Sequence, residues 1–269
     1  MRHRLVDVVL DITHHTPMSP PRHLTANDRR IYTPQPLAVG QTVDLDKPAA
    51  KHLIAVCRQR AGDSVALFNG DGAIYTGTLV APASVQGCAV AIERIDHPAV
   101  EPGLDVALFQ AIGKGDRTDW AIQKAVEMGA TSITPLITER VNVKLDAART
   151  QKRQQRWQAI AVAACEQSGR VRIPPVHPPM ALAQLEPTQG RAMCHLDPQA
   201  HASLNALGQP ETLGLIVGPE GGLSAEETER LVRLGSVGVK LGPRILRTET
   251  AGVACLAAIQ ALWGDLVDD

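Results

Sequence analysis

Two segments near the C-terminus combine residue types able to hold a small polar ligand and act on it. The first is Leu213-Gly-Leu-Ile-Val-Gly-Pro-Glu-Gly-Gly-Leu-Ser224; the second, one short helix later, is Leu241-Gly-Pro-Arg-Ile-Leu-Arg-Thr-Glu-Thr-Ala251. In each, an apolar run breaks into a Gly/Pro loop that leads into a helix. Such loops leave backbone N–H and C=O groups open, and glycine lets a ligand come close to them. By composition alone the Gly218–Gly222 loop is equally a tight turn before a capped helix. The second loop shifts that balance, because Arg244 and Arg247 flank Ile245 and Leu246, with Glu249 and Thr250 next. Two arginines at a strand end beside a glycine loop suit an anion or an RNA backbone. Together the loops predict one compact site for a small polar cofactor.

Other phosphate-handling chemistries do not fit. No lysine followed by Ser/Thr closes either loop, and no Gly-x-Gly-x-x-Gly opens a helix; Gly113-Lys-Gly-Asp116 matches neither pattern. ATP hydrolysis and hydride transfer therefore recede. The five cysteines, at 57, 88, 165, 194 and 255, are odd in number and unpaired in spacing, which predicts buried free thiols in a reduced cytoplasm and no zinc site. The net charge of −1 confines any nucleic-acid surface to local patches, and 3% aromatic residues leave no broad stacking platform. No apolar stretch approaches the roughly 20 residues of a membrane span. Met1–Ile12 makes a poor signal peptide, being broken by Asp7 and Asp11.

The elements that must position these residues divide the chain. Residues 1–21 are expected to be a loose extension. From Arg22 to Ile95 short β-rich runs (43–45, 65–68, 74–80, 88–92), one helix over 49–60 and a hairpin signal at Asn69-Gly-Asp-Gly72 suggest a small barrel domain, 22–95. Asp96-His-Pro-Ala-Val-Glu-Pro-Gly103 is a linker. Beyond it, over 104–269, strand-like runs at 105–112, 132–138, 192–196, 213–217 and 237–241 alternate with helices. The helix at 119–128 is expected to bury Trp120, Ala121, Ala125 and Met128; that at 150–168, Trp157, Ile160, Ala161, Ala164 and Cys165. Ser224-Ala-Glu-Glu227 is a capping box, and a last helix runs from Thr248 to Trp263. Strand–helix alternation means an α/β fold with a mainly parallel sheet.

At this point the motifs resemble a known family. Gly218-Pro-Glu-Gly-Gly222 followed by Leu241–Ala251 is similar to the SPOUT methyltransferases, most closely the bacterial 16S ribosomal RNA uridine-N3 methyltransferases. Lys114-Gly-Asp-Arg-Thr-Asp-Trp-Ala-Ile-Gln-Lys-Ala-Val-Glu-Met-Gly129, Glu139-Arg140, Glu166-Gln-Ser-Gly-Arg170 before Ile173-Pro174, His52-Leu53 and the Gly62–Gly72 hairpin region extend the likeness from about Arg22 to Leu262. The resemblance implies a C-terminal α/β trefoil-knot domain, an N-terminal PUA-like β-barrel, a homodimer and S-adenosylmethionine as cofactor, with no membrane association. It places Val217, Gly218, Glu220, Gly221 and Gly222 on one wall of the cofactor pocket. Leu241, Gly242, Ile245 and Leu246 form another, and Leu196 closes it.

For methylation at uracil N3 the ring nitrogen must lose a proton, and arginines near O2 and O4 would stabilise the resulting anion. The residues expected to act are Arg247 for that task, with Arg22, Arg117, Arg140 and Arg170 as RNA ligands. Glu249 is the nearest carboxylate base, pairing with an arginine being its competing role. His52 and His195 are read as structural or RNA-backbone groups. Two basic runs are expected to meet phosphates: Arg22, Arg29, Arg30, Lys51, Arg58 and Arg60, and then Lys144, Arg149, Lys152, Arg153 and Arg156. Ala251, Ala254, Cys255 and Ala258 offer a small apolar face for dimer packing. A related enzyme acting on tRNA or 23S RNA, and a non-catalytic RNA-binding protein, remain the alternatives.

Overall fold

A computed structural model of the chain describes residues 30–141, 147–186 and 190–267. The N-terminal part holds β1 (Arg30–Tyr32), β2 (Thr42–Leu45), α1 (Lys47–Lys51), β3 (Ser64–Phe68), β4 (Ile74–Ser84) and β5 (Gly87–Asp96). These strands form one mixed sheet in the order β1-β3-β4-β5-β2, in which only the β1–β3 pairing is parallel. Asn69 and Asp71 side chains cap the β3–β4 hairpin by accepting from the amides of Asp71 and Ala73, so the Asn-Gly-Asp-Gly signal is a turn built by its own side chains. Alternating inward residues Val43, Leu45, Val65, Leu67, Leu79, Val90 and Ile92 close over Leu53 to make a separate apolar core.

The helix expected over 49–60 is shorter and irregular. Asp46 caps its start by accepting from Ala49, α1 ends at Lys51, and one π-helical turn follows over His52–Val56. Arg58 then takes a left-handed conformation (φ 59°), which ends the helix four residues before Gly62.

The second part alternates as expected: β6 (Asp105–Ala111), α2 (Arg117–Glu127), β7 (Ser132–Ile137), α3 (Ala147–Ser168), β8 (Met180–Ala181), β9 (Ala192–Leu196), β10 (Thr212–Val217), α4 (Ala225–Arg233), β11 (Val237–Val239) and α5 (Thr248–Trp263). Its six strands are all parallel, in the order β11-β9-β10-β6-β7-β8. Covered on both faces, such strands read as continuous apolar runs, as Leu213–Val217 does. Leu213, Leu215 and Val217 share one core with Trp157, Ala161, Ala164, Cys165, Leu256 and Ile259, whereas Ile216 packs on the opposite side with Met193, Leu182 and Leu231. A Cβ on Gly214 would run into the Met193 sulfur, so a side chain here would oblige Met193 to move.

Helix α2 departs from expectation. Its buried face is Thr118, Ala121, Ile122, Ala125 and Val126, and Trp120 is 42% exposed instead of sharing that face. Neighbours one residue apart lie about 100° round a helix, so Trp120 and Ala121 cannot both point at the core's centre. The face expected on α5 is also divided: Cys255 is fully buried, while Ala251 and Ala258 only flank the same core.

The two parts meet through specific contacts. Glu166 on α3 accepts from the amide of Tyr32 on β1 (3.0 Å), and the Tyr32 and Phe68 rings lie 5.7 Å apart, with Phe68 and Ile74 joining the core of the parallel sheet. Below them Glu101 takes four hydrogen bonds, from Nε and Nη2 of Arg170 (3.1 and 2.9 Å) and from the amides of Val171 and Arg172 (2.8 Å each). Arg172 in turn lies against the hairpin, with Nη2 only 2.7 Å from where a Cβ on Gly72 would stand.

Candidate functional site

In an open parallel sheet the place for a ligand is beyond the carboxyl ends of the strands, where the strand order reverses. Here that edge collects the loops after β6, β9, β10 and β11. Gly113–Asp116 leads into α2, Gly218–Ser224 into α4, and Lys240–Arg247 into α5.

Side chains tie these loops into one unit. The Thr248 hydroxyl donates to the carbonyl of Gly218 (2.6 Å), and Gln110 Nε2 donates to the Thr248 oxygen (3.0 Å) from inside β6. Arg117 bridges both glycine segments: its Nη1 donates to Glu220 Oε1 (2.6 Å) and its Nε lies 3.8 Å from Glu249 Oε1. Glu220 also accepts from the amide of Lys114 (3.2 Å). Burial pushes the Glu220 carboxyl up, but its own amide, that of Lys114 and the Arg117 guanidinium outweigh this and hold it below the usual carboxylate range. Arg140, in the turn after β7, donates through Nη1 to the carbonyl of Gly221 (2.5 Å). Ser224 and Glu227 form the reciprocal cap of α4, and the second Glu227 oxygen accepts from the amide of Glu139.

What the loops leave open is as informative. Among the described residues, the amides of Leu241, Gly242, Arg244, Ile245, Leu246 and Arg247 donate no backbone hydrogen bond, and Ile245 is 79% exposed. Gly222 (φ +72°) and Gly242 (φ +69°) adopt left-handed conformations, and nothing lies within 4 Å of where a Cβ on Gly242 would be. Unpartnered amides beside exposed apolar side chains fit a flat, partly polar ligand. Leu196 pairs with Val239 across β9 and β11, and Leu196, Val217 and Leu241 all border one core. The residues assigned to two cofactor walls thus lie along a single edge: Leu196, Val217, Gly218, Glu220, Gly221 and Gly222, then Leu241, Gly242, Ile245 and Leu246.

Of the residues given roles in chemistry or RNA contact, Arg247 stands exposed at the N-terminal cap of α5, with no ion pair among the described residues. Glu249 is half-buried, faces Arg117, and keeps Oε2 buried without a hydrogen-bond partner. Arg117 and Arg140 both make loop contacts, Arg117 half-buried and Arg140 still exposed. Arg170 belongs elsewhere. It is 6% exposed, and besides Glu101 it donates through Nη1 to the carbonyls of Val126 (3.0 Å) and Ala130 (2.7 Å), so it staples α2 to the linker and cannot reach RNA. Arg22, Arg29 and Lys144 lie outside the described residues. Lys51, Arg58, Arg60, Arg149, Lys152 and Arg153 are exposed; Arg156 also pairs with Asp119 and lies 3.5 Å from Asp116.

His52 is exposed, whereas His195 is buried in β9, with Nδ1 3.0 Å from the Ser236 hydroxyl. Burial holds its imidazole below the ordinary value despite Asp197. Burial likewise pushes the Cys165 and Cys194 thiols up to about 12, and Cys255 well upward. The described residues contain no cluster able to hold a metal ion and no helix long and apolar enough to cross a membrane.

Sequence reading missed Gln110, Thr248 and Glu101. Gln110 did carry a signal, as the one uncharged polar side chain inside the apolar run Val106–Ile112, and it is 1% exposed. Such a residue is kept for a hydrogen bond, since burying it unpaired costs about 1–3 kcal/mol.

Known proteins match most of the chain. Residues 100–260 match the family model of the RNA methyltransferase domain, and residues 45–84 that of the RNA methyltransferase PUA domain. Ribosomal RNA small subunit methyltransferase E of Buchnera aphidicola (from Schizaphis graminum) is 32% identical over 242 residues, 88% of this chain and 97% of its own. The solved structure of the Neisseria gonorrhoeae protein of that name, bound to S-adenosyl methionine, superposes with a TM-score of 0.83 at 38% identity, covering 89% of this chain and 100% of that one. Lpg2936 from Legionella pneumophila, solved with bound SAM, gives 0.85 at 37% identity over 89% of this chain and 99% of its own.

Proposed function

The chain belongs to the RNA methyltransferase family of ribosomal RNA small subunit methyltransferase E, and from that premise we propose that it uses S-adenosylmethionine to methylate N3 of a uridine in the 16S RNA of the small ribosomal subunit. The observation that carries this reading is the pair of glycine loops held together by Thr248 and Arg117, with unpartnered amides and an exposed Ile245 facing outward.

Once bound, the cofactor supplies the electrophilic methyl group; the rest is the work of this chain. Leu196, Leu241, Ile245 and Leu246 would hold the adenine between apolar side chains, and the unpartnered amides of the second loop would read its edges. Arg247 carries an uncommitted guanidinium at the start of α5, suited to the negative charge that uracil O2 and O4 acquire when N3 loses its proton. Glu249 faces Arg117 and, two residues after Arg247, is the carboxylate assigned to that proton.

Around this centre the reading adds four parts. Residues 104–269 form the catalytic domain, its C-terminal segment threaded as a trefoil knot, which the Thr248–Gly218 contact would cinch. Residues 22–95 form a PUA-like barrel whose exposed Lys51, Arg58 and Arg60, with Arg149, Lys152 and Arg153 on α3, meet phosphates. The enzyme is a homodimer. Its substrate places it in the cytoplasm.

Gly221→Val tests the cradle. The Gly221 φ is not left-handed, and a Cβ there meets only Arg140 carbons, at 3.4 and 3.5 Å. The fold and any dimer should therefore survive, while the added branch blocks the approach to the loop. Calorimetric titration with S-adenosylmethionine is expected to give no measurable binding; retained affinity would move the cofactor out of this loop.

A further inference from the structure

Next to the glycine loops lies an open cleft of about 450 Å³, lined by Lys114, Asp116, Arg117, Trp120, Glu249 and Thr250. None of these is among the residues assigned to the cofactor, and the cleft is within the range of about 300–1,000 Å³ of sites that take small molecules. Its tryptophan is unlike the other two. Trp157 is 3% exposed and donates its indole N–H to Asp119 (2.9 Å), and Trp263 packs against the core. Trp120 is 42% exposed, and its indole N–H has no acceptor among the described residues.

Neither propensity nor packing requires an aromatic there. Tryptophan is no better a helix former than many polar residues, and an indole left open to water forgoes the burial that usually justifies it. The charges around it are largely matched: Glu249 faces Arg117, and Asp116 lies 3.5 Å from Arg156. Lys114 is the lining cation without a carboxylate partner among the described residues, and its neighbouring amides open the N-terminus of α2, an end that favours an anion. An aromatic face, an uncommitted ammonium and a helix N-terminus at one cleft match one unstacked base and the phosphate beside it.

We infer that Trp120 is the stacking platform for an unpaired base of the substrate strand, with Lys114 taking the adjoining phosphate; this rests on the RNA methyl-transfer reading above. A single exposed indole suffices for one base. Stacking acts equally before and during reaction, so its loss appears in KM and not in kcat.

The test is initial-rate methylation of 30S subunits by Trp120→Ala, Trp120→Leu and Trp120→Phe. Alanine and leucine are expected to raise KM for 30S about tenfold with kcat nearly unchanged, and phenylalanine to restore most of it. Calorimetric affinity for S-adenosylmethionine and the sedimentation coefficient should match the parent in all three. Several results would overturn the inference: an unchanged KM in the alanine variant, rescue by leucine as complete as by phenylalanine, reduced cofactor affinity, or a changed state of assembly that makes Trp120 a contact between copies. If the parent methylates no 30S RNA, the functional reading itself has failed. The platform is then decided by titrating a uridine-rich single-stranded hexaribonucleotide and following indole fluorescence. Quenching in the parent that Trp120→Phe loses supports it, and no quenching, or equal quenching in both, refutes it.

Discussion

Replacing Arg247 by alanine is expected to lower kcat about 10²–10³-fold while leaving the affinity for S-adenosylmethionine nearly unchanged, the cost typical of removing one preorganised donor from a developing negative charge. The reason is placement. Arg247 caps α5 in an extended conformation and its side chain is exposed, so the loop before it can hold the cofactor through backbone groups. It makes no ion pair among the described residues, unlike Arg117, whose guanidinium is shared by Glu220 and Glu249. Single-turnover methylation and calorimetry on the same preparation separate the two effects. Equal losses in turnover and in cofactor affinity would reassign Arg247 to the cofactor pocket.

The other large effect is on stability and concerns a residue far from the chemistry. Glu101→Ala is expected to cost about 3–5 kcal/mol of unfolding free energy, because it strands the buried Arg170 guanidinium without its counter-charge. For a chain of this size that is a fall in Tm of about 6–20 °C, measurable by differential scanning calorimetry. Arg170 cannot turn to solvent, since it also holds the carbonyls of Val126 and Ala130. The amides of Val171 and Arg172 lose their acceptor in the same substitution, and Arg172 is the residue laid against the hairpin at Gly72. A shift of under about 1 kcal/mol would mean that water replaces the carboxylate and the staple is not structural.

These two cases mark how far the sequence could be read. The place of Arg247 at the start of α5 is legible because its signals are local: a Gly/Pro loop at a strand end, two arginines, then a helix start within eleven residues. The capping box at Ser224 was legible for the same reason, and so was the parallel sheet, since apolar runs of five to eight residues alternated with helical spacing. Arg170 was misplaced because its role depends on Glu101, 69 residues away in a segment that reads only as linker. Gln110 and Thr248 are 138 residues apart, so no local pattern shows the contact that joins β6 to the second loop. Trp120 reads as inward because a helical stripe drawn from four residues leaves its edges undefined by about one position. Strands β1 and β8, of three and two residues, are too short to show a period and exist through partners that neighbours in space provide.

The central claim is methyl transfer to uracil N3 of 16S RNA, and one measurement addresses it most directly. The protein is incubated with methyl-labelled S-adenosylmethionine and 30S subunits from cells lacking the endogenous enzyme, and the label is then located by nuclease mapping and mass spectrometry. A single 3-methyluridine in 16S RNA is the expected result. Label at carbon 5 of a uridine, or on another RNA with none on the 30S particle, would contradict it.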